Sequence, residues 1–96
     1  MKNLIQNLGL CRKAGALIYG FDAVVEAMQK NKVCGILTAS DISAKTLKEI
    51  NFHADKHKIK VKNINITSEE LKAVTGKSTV VTAITDTGLY TLFGGN

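Results

Sequence analysis

The sequence predicts an α/β fold, a single sheet with helices packed on both of its faces. Three features point there. Stretches with apolar residues at helical spacing alternate with short apolar runs of strand length along all 96 residues. Glycines and capping residues fall where one kind of stretch gives way to the next. Finally, Val33-Cys34-Gly35-Ile36-Leu37-Thr38-Ala39 is a continuous apolar run, as expected of a strand covered on both sides. A chain of this length, without a linker or repeat, makes one domain over residues 1–96.

Leu4, Ile5, Leu8 and Cys11 recur at helical spacing and predict a first helix over residues 3–14. Gly15 suits the position just past its end, where a left-handed backbone costs glycine nothing. Leu17, Ile18 and Tyr19 read as a short strand. Gly20 then lets the chain turn, and Asp22 is placed to cap a second helix over about residues 22–31. Val24, Val25, Ala27 and Met28 form the apolar side of that helix. After the strand at 33–39, Ser40-Asp41-Ile42-Ser43 is a turn and cap signal. It opens a third helix to about residue 56 that buries Ala44, Leu47, Ile50 and Ala54.

Residues 59–64 alternate apolar with basic, the pattern of a strand with one less buried face. Thr67-Ser68-Glu69-Glu70 is a capping box, with Thr67 as N-cap and Glu70 at the third helical position. The short fourth helix it opens stops at Gly76. Residues 79–84 form the last strand, and Thr85-Asp86-Thr87-Gly88 opens a closing helix through Leu89 and Phe93. Residues 94–96 should fray.

The formal charge of +5 and pI near 9.4 favour an anionic partner, and nucleic acid is the usual one for a small basic domain. Arg12 is the sole arginine, so there is no arginine-rich tail. Tyr19, Phe21, Phe52, Tyr90 and Phe93 are the only aromatics, too few for a platform that stacks a run of single-stranded bases. Lys56, Lys58, Lys60 and Lys62, with His57, either protect a sheet edge or face phosphates. No apolar run approaches the ~18 residues of a membrane span, and the N-terminus lacks a signal-peptide core. The expectation is a cytoplasmic protein with no membrane partner. Cys11 and Cys34 show no CxxC spacing and read as buried free thiols rather than a disulfide.

Catalytic constellations are thin. His53 and His57 sit four residues apart, a spacing that can hold a metal, but the neighbouring lysines repel cations and favour a solvated face. Ser40-Asp41 and Thr85-Asp86 follow strands, where α/β active sites often lie, yet both read as ordinary helix caps. No dinucleotide fingerprint, phosphate loop or nucleophile elbow is present. The expectation is therefore no enzyme, no cofactor, no metal and no small-molecule substrate. The more informative stretch is the glycine turn at Gly20. It feeds a helix N-terminus whose free N–H groups suit an anion or a nucleic-acid edge, and Arg12 and Lys13 precede it.

Arg12-Lys13-Ala14-Gly15, Gly20 with Ala27, Ala39-Ser40-Asp41, and Leu71 with Thr75-Gly76-Lys77 succeed one another in an order and spacing that resemble a known family. It is the kink-turn-binding ribosomal protein family (the L-seven-Ae family), and the likeness is closest to its short bacterial YlxQ-like branch. The resemblance spans about Leu4 to Leu92. It implies a three-layer α/β/α sandwich with a mixed four-stranded sheet. It also implies RNA binding through the start of the second helix and the loop before the last strand.

In that family the second helix opens with Gly-x-Asn-Glu-x-x-Lys, whose Asn and Glu read the guanines of tandem sheared G·A pairs. Here Phe21, Asp22, Ala23 and Glu26 come after Gly20. Asp22 accepts from guanine N–H donors but does not donate as an amide does. Ala23 has no polar atom, and Glu26 is negative where the family is positive. The second loop, Gly76-Lys77-Ser78-Thr79, is short and polar.

The resulting expectation is a non-enzymatic RNA-binding module for structured, kink-turn-like RNA in a ribosome or translation setting, with ribosomal proteins as further partners. Arg12, Lys13 and Lys77 would position phosphates, and Gly20, Phe21, Asp22, Ala23, Glu26, Ser78 and Thr79 would line the contact. The alternative is a protein-interaction module that keeps the fold and has lost kink-turn recognition.

Overall fold

A computed structural model of the chain describes residues 3–94. Helices α1 (Leu4–Lys13), α2 (Phe21–Gln29), α3 (Ala44–Lys56), α4 (Ser68–Thr75) and α5 (Thr87–Tyr90) alternate with strands β1 (Leu17–Tyr19), β2 (Gly35–Thr38), β3 (Val61–Asn63) and β4 (Val81–Ile84). A 3₁₀ turn (Thr91–Phe93) comes after α5. The expected order of elements is observed throughout. Of the residues expected to fray, Gly95 and Asn96 lie outside the described residues.

The strands form a mixed four-stranded sheet in the order β1-β4-β2-β3. β2 and β3 are parallel, while β4 runs antiparallel to both β1 and β2. Burial explains the order. Every residue of β2 and β4 is buried, so these strands need cover on both faces and take the centre. β1 and β3 have three residues each, none of them buried, and take the edges.

Alternation along the strands makes two cores. Ile36, Val81 and Ala83 join Val24, Met28, Ile50 and Ala54 from α2 and α3 on one face. Leu37 and Ile84 join Leu8, Cys11, Leu71, Val74, Tyr90 and Phe93 from α1, α4 and the C-terminal helices on the other. The fold is thus a three-layer α/β/α sandwich. Each fully buried aliphatic contributes about 1.5–3 kcal/mol, so neither layer is dispensable. The hydroxyls inside the sheet are satisfied: Thr82 Oγ1 donates to the Leu37 carbonyl at 2.9 Å, and Thr38 Oγ1 accepts from Asn63 Nδ2 at 3.0 Å.

Gly35 is required on steric grounds, because a Cβ there would overlap the Tyr90 ring. The Tyr90 hydroxyl is buried without a hydrogen-bond partner among the described residues, and burial raises its pKa.

Several local expectations are corrected. The N-cap of α2 is Gly20 rather than Asp22, which instead lies in the first turn and favours the positive end of the helix dipole. Ala44 is exposed and Leu47 half-buried, so the buried stripe of α3 is Ile50 and Ala54. Within the expected Ser40–Ser43 cap signal it is Ser43, and not Ser40 or Asp41, that caps α3, its hydroxyl accepting the Thr46 N–H at 3.1 Å. Both cysteines are free, but only Cys11 is buried, with its pKa raised by desolvation and by the charge of Asp86; Cys34 is half-buried.

Candidate nucleic-acid interface

β1 connects two glycine turns at opposite ends of the sheet. At the first, Gly15 (φ 73°) closes α1 in a Schellman arrangement. Its N–H donates to the Arg12 carbonyl at 3.0 Å and that of Ala16 to the Cys11 carbonyl at 2.9 Å. At the second, Gly20 adopts φ 97° and ψ 139°, backbone angles left essentially to glycine. No side chain caps α2 here. The N–H groups of Phe21, Asp22 and Ala23 meet no acceptor among the described residues, as the first turn of an uncapped helix requires.

The second candidate segment is held beside the first. The Val81 carbonyl accepts the Gly20 N–H at 2.9 Å and the Thr79 hydroxyl at 3.1 Å. One acceptor therefore ties the start of α2 to the end of the 76–79 loop. Gly76 (φ 82°) stops α4, and Thr75, 3% exposed, shapes the turn beyond it. The Thr75 hydroxyl accepts the Lys77 N–H at 3.2 Å and lies 2.6 Å from the Lys77 carbonyl and 3.2 Å from that of Leu71. Lys77 and Ser78 are left exposed and Thr79 half-buried.

The same end of the sheet gathers a third segment. Ala39 N–H donates to the Val80 carbonyl and Ser40 N–H to that of Ile66. Asp41 accepts from Ser68 N at 2.9 Å and from Ser68 Oγ at 2.7 Å, which reinforces the start of α4 and holds the Asp41 carboxyl below its ordinary pKa. Asp41 thus supports a helix 27 residues away rather than the one that comes next in the chain. Local capping rules carry no signal for such a bond.

Arg12 and Lys13 are not brought to Gly20. They precede the Gly15 turn, and the length of β1, about 10 Å, intervenes. The Arg12 guanidinium donates to the Val74 carbonyl at 2.7 Å and ties α1 to the last turn of α4. It thereby reaches toward the 76–79 loop but not the α2 N-terminus. Lys56, at the end of α3, and Lys62, in β3, do not share one patch either. Lys56 lies over the Phe52 ring, whereas Lys62 donates to the Phe93 carbonyl and lies over the Tyr90 ring of the opposite layer. His53 packs edge-on against Phe21 and Phe52, and no cluster of metal-ligating side chains occurs among the described residues. No described helix is long and apolar enough to cross a membrane.

The sequence profile of the ribosomal protein L7Ae/L30e/S12e/Gadd45 family matches residues 2–93. The chain belongs to this family. Among solved structures, a Bacillus halodurans C protein of unknown function is similar at 27% identity and a TM-score of 0.85, over 98% of this chain and 96% of its own. A Giardia lamblia 15.5kD RNA binding protein shares the fold at 13% identity and a TM-score of 0.76, over 95% of this chain and 78% of its own. A comparison with curated protein sequences finds no match.

Membership of the L7Ae/L30e/S12e/Gadd45 family places the unusual α2 residues in context. Asp22, Ala23 and Glu26 are all exposed, while Val24, Ala27 and Met28 of the same helix are buried. The departures from the Gly-x-Asn-Glu-x-x-Lys pattern therefore alter the surface and leave the packing intact. Glu26 is also not an isolated negative charge. Lys30 pairs with it at 3.4 Å, and Lys32 lines the same shallow hollow with Ala23. Such an exposed i, i+4 pair contributes only about 0.3–0.5 kcal/mol, but it returns positive charge one turn further along.

Proposed function

We propose that this protein is a non-enzymatic RNA-binding module that grips structured, kink-turn-like RNA at the sheet end carrying Gly20 and the 76–79 loop. The observation that carries this reading is the Val81 carbonyl, shared by Gly20 and Thr79. It makes one surface out of two segments that are far apart in sequence. Glycine at position 20 lets an RNA backbone approach closely, and the free N–H groups of Phe21, Asp22 and Ala23 present donors to it. Asp22 accepts from the N–H donors of a guanine edge. Lys77, exposed within the loop, supplies a phosphate contact, which sets affinity but not sequence. Membership of a family that includes ribosomal proteins supports a ribosome or translation setting, and the fold shared with an RNA-binding protein supports RNA as the ligand.

The test is the affinity for a kink-turn RNA at physiological salt, against the same RNA with its tandem G·A pairs replaced by Watson–Crick pairs. The expected result is a preference for the intact motif of more than about tenfold, or 1.4 kcal/mol. Ala23 and Glu26 motivate a second reading, a protein-interaction module of the same fold. Failure to bind either RNA, together with recovery of a protein partner after nuclease treatment, would establish it instead.

A further inference from the structure

We infer that the cleft between the first turn of α2 and the middle of α3 takes one unpaired nucleobase of the bound RNA, stacked on Phe52. The inference rests on the RNA-binding reading above. Phe52 is 60% exposed, more than any other large apolar side chain among the described residues. It lines a cleft of about 360 Å³ with Phe21, Lys48, Glu49 and His53. The rings form a row: His53 meets Phe21 at 6.0 Å and Phe52 at 5.6 Å between centroids, edge-on to both. Five aromatics are too few for a platform reading a run of bases, but the fold collects two of them and an imidazole where one base fits.

The charges and the location define the occupant. Phe21 is the residue after Gly20, so the cleft is continuous with the α2 N-terminus. Lys48 sits one helical turn before Phe52 and Lys56 one turn after it, with Lys56 Nζ 4.8 Å from the ring centroid. Lys48 lines the cleft and the Lys56 ammonium covers one face of the Phe52 ring, so a base stacks on the face turned to the cleft with both lysines in reach of its flanking phosphates. Glu49 offers an acceptor to an exocyclic amino group, which adenine, guanine and cytosine carry and uracil lacks. An amphipathic helix would need apolar anchors at i, i+3, i+4 and i+7. Here the positions around Phe52 on α3 are Lys48, Asn51, Asp55 and Lys56, all exposed and polar, which suits a single flat base.

The test uses Phe52→Leu and Phe52→Trp, both at an exposed position where folding is not at stake. The probes are a kink-turn RNA with 2-aminopurine at each unpaired position in turn, and a fully paired duplex of the same length. Phe52→Leu should weaken kink-turn binding by about tenfold and leave duplex binding unchanged, whereas Phe52→Trp retains wild-type affinity. Quenching of one 2-aminopurine position should accompany binding by wild type and Phe52→Trp, but not by Phe52→Leu. Wild-type binding to the kink-turn RNA that Phe52→Leu leaves intact, or that it weakens equally for both RNAs, would overturn the cleft and leave the proposed function standing. Failure of the wild-type protein to bind either RNA would overturn both.

Discussion

The two glycine turns that bound β1 look alike in sequence and are opposites in structure. At Gly15 the left-handed backbone lets the last carbonyls of α1 be satisfied from within the chain. At Gly20 the backbone is more unusual still, and it opens a helix with no side-chain cap, leaving donors unspent. One turn finishes a helix; the other starts a surface. Their surroundings differ in the same sense. Gly15 neighbours Asn31, Lys32, Cys34 and Thr85 at a shallow hollow, whereas Gly20 is tied through Val81 to a second exposed loop.

Alanine at the two positions gives the largest effects and separates them. Gly20→Ala places a Cβ at φ 97° and ψ 139°, costs about 1–3 kcal/mol, and disturbs the first turn of α2. Thermal unfolding should show the loss, and RNA titration a fall in affinity of more than about tenfold, or 1.4 kcal/mol. Gly15→Ala costs a comparable ~1–2 kcal/mol of stability but should leave affinity within about twofold. Equal losses of affinity at both sites would erase the distinction.

Thr75→Val tests the loop side. Losing the hydroxyl removes bonds inside the 76–79 turn at a cost of about 1 kcal/mol, and kink-turn affinity should drop several-fold. Unchanged affinity would mean that the loop does not need its observed shape. Next in size is the salt dependence of binding. Lys77→Gln should reduce the slope of log K against log salt by about one contact, while Arg12→Gln should instead lower stability by freeing α1 from the Val74 carbonyl. A slope that responds to Arg12 and not to Lys77 would move the interface to the groove between α1 and α4.

The smallest effect concerns Asp41, which supports this end of the sheet from outside. Ser68 lowers its pKa from the ordinary 3.8. The stabilisation is therefore complete above about pH 4 and is lost as pH falls through the lower, folded value. The difference in Tm between wild type and Asp41→Asn should be constant near neutrality and vanish in strong acid. A difference that grows toward low pH would contradict the assignment.

Much of the architecture is legible in the sequence because it is local. The apolar run at 33–39, the capping box at Thr67 and Glu70, and the stops at Gly15 and Gly76 each arise from short-range chemistry, and each is observed. The cap of α2 misleads a local reading because Asp22 is a better capping residue than glycine, while the turn after β1 needs a backbone that only glycine adopts easily. Strand order needs tertiary information: burial on both faces centres β4, which the chain reaches last. At the candidate interface, the Gly20 turn and the 76–79 loop can be nominated separately, but nothing local states that Val81 joins them. Nor does spacing reveal that Arg12 turns to α4, or that Phe52 is left exposed beside Phe21.

The most direct test is an amide-resolved NMR titration of the protein with kink-turn RNA. The resonances of Gly20, Phe21, Asp22, Ala23 and residues 76–80 should shift first and most, while those of Gly15, Cys34 and Thr85 stay in place. Shifts concentrated at the Gly15 end, with the Gly20 turn unmoved, would contradict the proposed interface.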